Sequence, residues 1–175
     1  DLLEKSIEAL QNGNMRMKYL EKPVVTAPAG LALGGGCEIA MHGARCLPNG
    51  ETYMGLVEVG VGVIPAGGGC KELLVRLTEG IPDGVIEGGL NLQYHMGKAF
   101  ENIATAKVAT SAMEAMELGY IRKTETINMS RDQQIYEAKQ IVLSLNVAGY
   151  KPPRPARIPV MGENFRGLAD AILMN

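Results

Sequence analysis

Three consecutive glycines at residues 34–36 constrain this chain more than any other feature. Glycine lacks a Cβ, so the backbone can enter conformations closed to other residues, and another molecule can approach its N–H groups closely. A short apolar segment with prolines at its ends, residues 23–28, precedes them and is predicted to be a buried strand. Apolar residues then recur at helical spacing over residues 37–44. The sequence therefore predicts a strand, a glycine turn and a helix over residues 38–44.

Glu38 lies in the first turn of this predicted helix. A helix N-terminus has N–H donors without intrahelical acceptors and carries a partial positive charge. One interpretation is a turn that holds an oxygen atom as it becomes negative during a reaction. The alternative is a turn that only packs the helix against the strand, with Glu38 as a partner of the helix dipole. The glycine turn alone leaves both interpretations open.

The composition disfavours several classes of function. Seventeen basic and nineteen acidic residues give a net charge of −2, which favours neither nucleic acid nor an anionic membrane surface as a partner. No segment has the pattern of a signal peptide or the length of a membrane span. Cys37, Cys46 and Cys70 lack metal-ligand spacing, so we expect reduced thiols and a cytoplasmic location. A length of 175 residues suits one domain.

The rest of the chain is predicted to consist mainly of helices. The N-terminal stretch suggests helical segments that break near residues 12–14. Ser111 and Gly119 mark the start and the end of one helix, and Ser130 with Gln133 forms a capping-box pattern for another. Further predicted elements are a strand at 51–55, helices at 71–77, 91–103, 130–145 and 165–174, a loop at 80–89 and a stiff Pro-rich segment at 151–155.

A second carboxylate attracts notice because of its apolar surroundings. Glu58 is the only charged residue in the segment 56–65, which is followed by a second glycine turn at residues 66–69. A lone carboxylate in such a segment is costly unless it has a partner or a task. If Glu38 and Glu58 face one cavity, one can hold a proton while the other accepts one. Such a pair suits the addition or removal of water across a double bond.

Two familiar glycine motifs are absent. In the second cluster Gly68 stands where a phosphate-binding P-loop needs lysine, and in the first Ile39 stands where a dinucleotide-binding motif needs its third glycine. A nicotinamide site within these residues is therefore not expected. His42 and His95 are too few and too isolated for a histidine-based metal site, so no metal is expected. His42, one turn after Glu38, is predicted to lie on the helix surface.

Several of these segments resemble the central signature of the crotonase superfamily, which includes enoyl-CoA hydratases and isomerases. They are residues 22–25, residues 30–38, Glu58 and residues 62–68. The resemblance covers residues 22–126 and implies an α/β fold, a crotonase-type spiral of strand–strand–helix (ββα) turns with C-terminal helices. On this basis residues 1–128 are expected to form a partial crotonase core that lacks the first turns. Residues 129–175 are expected to form a helical and Pro-rich extension.

Residues 51–62, 104–111 and 149–153 resemble more specifically the hydratase-like C-terminal module of bacterial 3-hydroxyacyl-CoA dehydrogenases. In those proteins a nicotinamide-binding part precedes the module. The resemblance thus implies NAD only in an upstream part and no cofactor within this chain. The implied partners are an acyl-CoA thioester and that upstream dehydrogenase part, and the family commonly assembles as trimers or hexamers. Neither nucleic acid nor a membrane is expected as a partner.

The resemblance also implies roles for individual residues. The Gly35 N–H would donate to the thioester oxygen in an oxyanion hole, Glu38 would act as base toward water, and Glu58 would exchange a proton with the substrate α-carbon. The positions expected to bind the substrate are Leu33, Gly34, Leu56 and Ala66. Ala66 replaces the usual glycine and Val57 a frequent proline, but neither change removes a reacting group.

Three functions stay open at this point. The first is hydration of enoyl-CoA in a fatty-acid β-oxidation enzyme, which is favoured because isomerases of the family usually keep only one of the two glutamates. The second is a non-catalytic acyl-CoA-binding or assembly module, and the third is another crotonase activity such as isomerisation or thioester hydrolysis. The family's other oxyanion donor lies upstream, so this chain alone is expected to be slower by about 100- to 1000-fold.

Overall fold

The computed structural model describes residues 2–82, 92–155 and 157–174. Within these ranges the helices are α1 (Leu2–Lys18), α2 (Gly35–Met41), α3 (Gly69–Thr78), α4 (Gln93–Ala104), α5 (Ala112–Leu118), α6 (Gln134–Val147) and α7 (Asn164–Leu173). The strands are β1 (Val25–Thr26), β2 (Leu31–Leu33), β3 (Arg45–Cys46), β4 (Tyr53–Gly55) and β5 (Val108–Ala109), and a 3-10 helix covers Glu58–Val61.

The first four strands alternate between two sheets. β1 pairs in parallel with β3, and β2 pairs in parallel with β4, while β5 adds to β4 in the antiparallel direction. Parallel strands need a crossover between them, and α2 lies in both crossovers. The chain thus places one strand in each sheet, forms a helix, and repeats, which is the strand–strand–helix turn expected from the sequence.

The hydrophobic core lies between the sheet β2-β4-β5 and the helices α2, α3 and α5. Its side chains with no exposed surface belong to Cys37, Met54, Leu56, Leu73, Ala109, Ala112 and Ala115. Burying a side chain of the size of Leu or Met contributes roughly 1.5–3 kcal/mol. Because Cys37 lies on α2 and Leu73 on α3, the core fixes both helices that begin at glycine turns.

The predicted caps of α5 are confirmed. The Ser111 hydroxyl accepts a hydrogen bond from the Glu114 N–H at 3.1 Å, and Gly119 ends the helix with a φ of 88°. The predicted cap of α6 is wrong, because α6 begins at Gln134 and not after Ser130. Instead, the Asn128 side chain accepts a hydrogen bond from the Ser130 N–H at 3.1 Å and organises the turn before the helix.

Two further boundaries differ from the prediction. The predicted break at residues 12–14 is wrong, because α1 is continuous and Asn14 is buried by a tertiary contact that local propensity does not reveal. α2 begins at Gly35, three residues before the predicted start, so the glycines themselves form its first turn. Much of the predicted loop at 80–89 and the start of the helix predicted at 91–103 lie outside the described residues.

Three further expectations concern membrane spans, the cysteines and the division of the chain into two parts. In the described part of the chain no helix has both the length and the apolar character of a membrane span. Cys37 and Cys46 are buried free thiols, and Cys70 is an exposed one. The division of the chain into residues 1–128 and 129–175 stays a prediction.

The continuity of α1 predicts the effect of a glycine substitution. Gly13 lies inside this helix, and a Cβ there would meet no atom within 4 Å. Gly13→Ala should therefore raise the free energy of unfolding by about 0.5–1 kcal/mol, measured by urea denaturation. Gly30→Ala is the matched control, because its space is equally open but its φ is +68°. It should destabilise by about 1–2 kcal/mol, and equal effects at both positions would contradict a continuous α1.

Candidate active site

The Glu38 carboxylate lies where the two glycine turns meet. Glu38 is in the first turn of α2 and is only 2% exposed. Its Oε1 accepts a hydrogen bond from the N–H of Gly69, the first residue of α3, at 2.8 Å. The first glycine turn thus starts the helix that carries the carboxylate, and the second starts the helix whose positive end binds it.

The close approach of the second turn requires glycine. A Cβ on Gly67 would overlap Glu38 Oε2. A Cβ on Gly69 would lie 3.0 Å from Glu38 Oε1 and 2.6 Å from Leu56 Cδ2. Any larger residue at these positions would push the turn away from the carboxylate. The position of the Glu38 carboxylate therefore depends on the absence of a side chain at both residues.

The surroundings of Glu38 act on its pKa in opposite directions. Burial raises the pKa, because the charged form loses its hydration. The N–H groups of Gly69 and Gly67 oppose this effect by bonding to the ionised form, and the negative charge of Glu58 adds to the rise. The result is a carboxyl group with a raised pKa, and no cation among the described residues acts to hold it ionised.

Glu58 lies next to the first glycine turn. It is the first residue of the 3-10 helix, and a Cβ on Gly34 would be 3.5 Å from its Oε1. Its Oε2 is buried and accepts no hydrogen bond from the described residues. Burial raises the pKa of Glu58, while its own backbone N–H partly opposes the rise. One carboxyl oxygen is therefore left without a donor next to the turn.

The first glycine turn presents a backbone donor at the start of the helix that carries Glu38. Gly34 has φ 55° and ψ −125°, a conformation that favours glycine, and its N–H donates to the Gly55 carbonyl at 2.9 Å. Gly35 is the first residue of α2, so its N–H has no acceptor within the helix. This N–H can donate to a negative oxygen that approaches the turn.

The remaining predicted site residues surround these groups. Leu33 ends β2 and is half-buried, Leu56 is fully buried beneath Gly69, and Ala66 is half-buried at the start of the second turn. The Ala66 carbonyl accepts a hydrogen bond from the Gln11 side chain at 2.6 Å. Four apolar side chains on and after the 3-10 helix that begins at Glu58 are exposed: Val59, Val61, Val63 and Ile64.

The prediction that His42 lies on the helix surface is wrong. His42 is 1% exposed, and its Nδ1 lies 2.6 Å from the Glu38 backbone carbonyl. Its Nε2 lies 3.6 Å from Glu72 Oε1, and burial lowers the pKa of the imidazole. Local sequence cannot reveal this burial, because α3 packs against α2 and covers the ring: a Cβ on Gly68 would lie 2.9 Å from it.

Glu72 forms a buried ion cluster that the sequence analysis missed. Its side chain has no exposed surface, and Oε1 accepts hydrogen bonds from Lys18 at 2.5 Å and from Lys71 at 2.7 Å. Burial alone would raise the pKa of Glu72, but the two ammonium groups outweigh burial and lower it to about 2. Within the described residues, no group of three or more His, Cys, Asp or Glu is placed to hold a metal ion.

Comparisons with known proteins agree with this arrangement. The chain is 42% identical over 157 residues to a Bacillus subtilis protein named probable 3-hydroxyacyl-CoA dehydrogenase, covering 90% of this chain and 19% of that protein. It is 35% identical over 121 residues to the short-chain-enoyl-CoA hydratase of Clostridium acetobutylicum, covering 67% of this chain and 40% of that protein. No protein-family model matches.

A solved structure decides the fold. The crystal structure of an enoyl-CoA hydratase from Bacillus anthracis superimposes with a TM-score of 0.64 at 22% identity, covering 83% of this chain and 48% of that chain. The chain belongs to the crotonase superfamily. The α/β spiral with C-terminal helices, predicted from the sequence, is confirmed as the crotonase fold. The chain spans less than half the length of each of these three proteins.

The structure brings together the crotonase residues that the sequence singled out. Gly35, Glu38 and Glu58 converge on the first glycine turn, and Ala66 begins the turn on the far side of Glu38. Their catalytic and binding roles stay predictions. The polar residues of α1 that contact the second turn were not singled out, although Gln11 and Asn14 recur at helical spacing on one face.

The close packing of Gly67 against the Glu38 carboxylate predicts the effect of adding a methyl group at residue 67. Gly67→Ala should lower the free energy of unfolding by about 1–3 kcal/mol, because its Cβ overlaps Oε2 and must displace the turn. Urea denaturation measures this loss. Gly36→Ala, with no atom within 4 Å of its Cβ, is the control and should be neutral or slightly stabilising. A Gly67→Ala protein as stable as the control would disprove the close contact.

The Glu72 cluster predicts a pH dependence of stability. A carboxyl group whose folded pKa is lowered from 4.5 to about 2 stabilises the fold above pH 4.5 and loses this effect as pH falls through 2. Glu72→Gln should therefore destabilise on the order of 3 kcal/mol at pH 7, with a difference from wild type that shrinks toward pH 2. Denaturation at several pH values measures it. The exposed Glu101→Gln should show no such trend, and a pH-independent Glu72→Gln effect would contradict the ion cluster.

Proposed function

We propose that this chain supplies the two catalytic carboxylates and one oxyanion-hole donor of an enoyl-CoA hydratase site in a fatty-acid β-oxidation enzyme. The reaction would be the reversible addition of water to a trans-2-enoyl-CoA thioester. The observation that carries the proposal is the buried Glu38 carboxylate at the N-terminus of α3, with Glu58 near enough to raise its pKa. The Bacillus subtilis and Clostridium acetobutylicum relatives support this class of chemistry by their names.

The proposed mechanism divides the work among three groups. Glu38 accepts a proton from water as the hydroxyl oxygen bonds to the substrate β-carbon. The Gly35 N–H donates to the thioester oxygen as it becomes an enolate; one such donor typically contributes roughly 3–4 kcal/mol of barrier lowering. Glu58 gives a proton to the α-carbon. One water is consumed, and in the reverse direction the same groups exchange roles.

The environments of the two glutamates suit these roles. Backbone N–H groups bond to ionised Glu38, which must be unprotonated to act as a base. Glu58 has a buried oxygen without a donor among the described residues, and burial favours a proton on this carboxyl group more strongly than the bond from its own backbone N–H opposes it. Burial raises the pKa of both carboxyl groups, which brings them closer to the pH range in which a group can both accept and donate protons.

The substrate and the partners follow from the same proposal. The exposed apolar side chains that follow Glu58 along the chain suit contact with the acyl part of a thioester. An upstream dehydrogenase part that binds NAD, a trimer or hexamer, and a cytoplasmic location stay predictions. Residues Leu33, Gly34, Leu56 and Ala66 are proposed to line the substrate-binding region.

A second candidate function is a non-catalytic acyl-CoA-binding or assembly module. It is favoured by the 42% identity to a protein whose name refers to dehydrogenase activity and not to hydration. Under this alternative the dehydrogenase part would carry out the chemistry, and this chain would hold the thioester or join subunits. Isomerisation of the double bond is a further crotonase activity that the shared residues leave open.

Substitution of each glutamate tests the hydratase proposal. In the full-length protein, Glu38→Gln and Glu58→Gln should each lower kcat for hydration of a short trans-2-enoyl-CoA by about 100- to 10,000-fold. The loss of absorbance of the conjugated thioester measures the rate. The matched control Glu51→Gln changes an exposed glutamate and should leave the rate unchanged.

The other outcomes separate the candidate functions. Tight binding of the thioester without turnover by the wild-type protein would favour the binding module. A product whose double bond has moved, without added water, would favour isomerisation. If hydration continues at the wild-type rate after both substitutions, the assignment of the two glutamates is rejected.

A further inference from the structure

One face of α1 contacts the second glycine turn through side-chain amides. Gln11 Nε2 donates to the Ala66 carbonyl at 2.6 Å, and Asn14 Nδ2 donates to the Gly67 carbonyl at 2.9 Å. Lys18 continues the same face and donates to Glu72 on α3. The spacing i, i+3 and i+7 places the three side chains on one stripe of the helix. α1 therefore donates two side-chain hydrogen bonds to the turn and one to α3.

The burial of Asn14 is unusual for this helix. All residues of α1 are described, and Asn14 is the only buried one, with 3% exposure. Asparagine is a poor helix former, and burying its amide is costly unless it is hydrogen-bonded. A role in packing alone would be better served by an apolar residue. The geometry points to a task for the hydrogen bond itself.

The two amides fix the orientation of successive peptide units. In a trans peptide the C=O and the following N–H point in opposite directions. When Gln11 holds the Ala66 carbonyl, the Gly67 N–H of the same peptide points away from α1, toward Glu38. Asn14 holds the next carbonyl, that of Gly67, and thereby the peptide that joins Gly67 to Gly68, which lies between the two N–H donors to Glu38. Without these contacts the glycine-rich turn would be free to rotate, because glycine restricts the backbone least.

We propose that Gln11 and Asn14 are positioning residues that hold the second glycine turn so that its N–H groups stay on the Glu38 carboxylate. They touch neither substrate nor reacting atoms and act through residues 66–69. The hydrogen bonds to Glu38 can be tested without any activity. Only the effect on turnover rests on the proposed function, in which Glu38 is the base.

The consequence for Glu38 has a definite sign. The N–H groups favour the ionised carboxylate, so loosening the turn should raise the Glu38 pKa further. The other titratable groups that act on Glu38 are Glu58 on the 3-10 helix and Cys70 on α3. His42 contacts the Glu38 backbone carbonyl through Nδ1, and its Nε2 lies near Glu72 and Lys71. Substitutions in α1 change none of these groups.

The experiment compares four variants of the full-length protein. Asn14→Ala removes the amide, and Asn14→Leu removes it while keeping a side chain with the same branching. Gln11→Ala changes an exposed residue and tests the turn even if the Asn14 variants fail to fold. Asn12→Ala is the matched control, because Asn12 is an exposed residue of the same helix.

Infrared absorption of the protonated carboxyl group gives the first readout. Subtracting the spectrum of Glu38→Gln assigns the absorption to Glu38. The midpoint pH of its titration should rise by about half a unit to one unit in both Asn14 variants. Gln11→Ala should show a smaller rise, and Asn12→Ala none. An unchanged titration in folded Asn14 or Gln11 variants, or a normal titration restored by leucine, would overturn the proposal.

The pH dependence of turnover gives the second readout. The acid limb of kcat/KM should shift upward by the same amount, while the rate on the plateau stays within about threefold of wild type. A loss of rate at every pH without a shift would indicate a merely structural role and contradict the proposal. A shifted infrared titration in a protein that hydrates no enoyl-CoA would support the positioning role and reject the proposed function.

Discussion

The hydrogen bond from the Gly69 N–H to the Glu38 carboxylate is the interaction on which the rest of the site depends. A carboxylate that is 2% exposed needs donors, and the N-terminus of α3 supplies them. For the donors to reach it, α2 must begin at Gly35 so that Glu38 falls in its first turn. Residue 67 must also lack a Cβ. The glycine clusters, the helix starts and the core contacts of both helices all serve this one geometry.

The two glycine turns perform different physical tasks. The first combines a left-handed Gly34 with an unpaired helix start at Gly35, which exposes a backbone donor beside Glu58. The second brings backbone close to a buried side chain and is steadied by two amides from α1. An unbraced run of glycines is conformationally costly to order. Contacts from outside the turn are therefore expected to stabilise the ordered conformation of such a run.

The sequence revealed those parts of the site that depend on local chemistry. Glu38 and Glu58 could be found because glycine turns and a lone charge in an apolar segment leave a local trace, and the family signature placed them in a pair. His42 and Asn14 could not be placed. Their burial arises from α3 and from the second turn, which are distant in the chain, so local pattern predicted a surface residue and a helix break. Gly35 was assigned correctly to the turn, but the helix start was placed three residues late.

Glu38 and Glu72 show why the site uses backbone donors and not cations. Both side chains are buried, but Lys18 and Lys71 lower the pKa of Glu72 to about 2, whereas the pKa of Glu38 is raised. A carboxylate held ionised by two ammonium groups is a very weak base, since basicity falls with the pKa. Backbone N–H groups orient a carboxylate without adding a full positive charge. If Glu38 accepts a proton from water, a helix terminus fixes its position while leaving it basic, and the ion cluster can remain a purely stabilising element on the other side of His42.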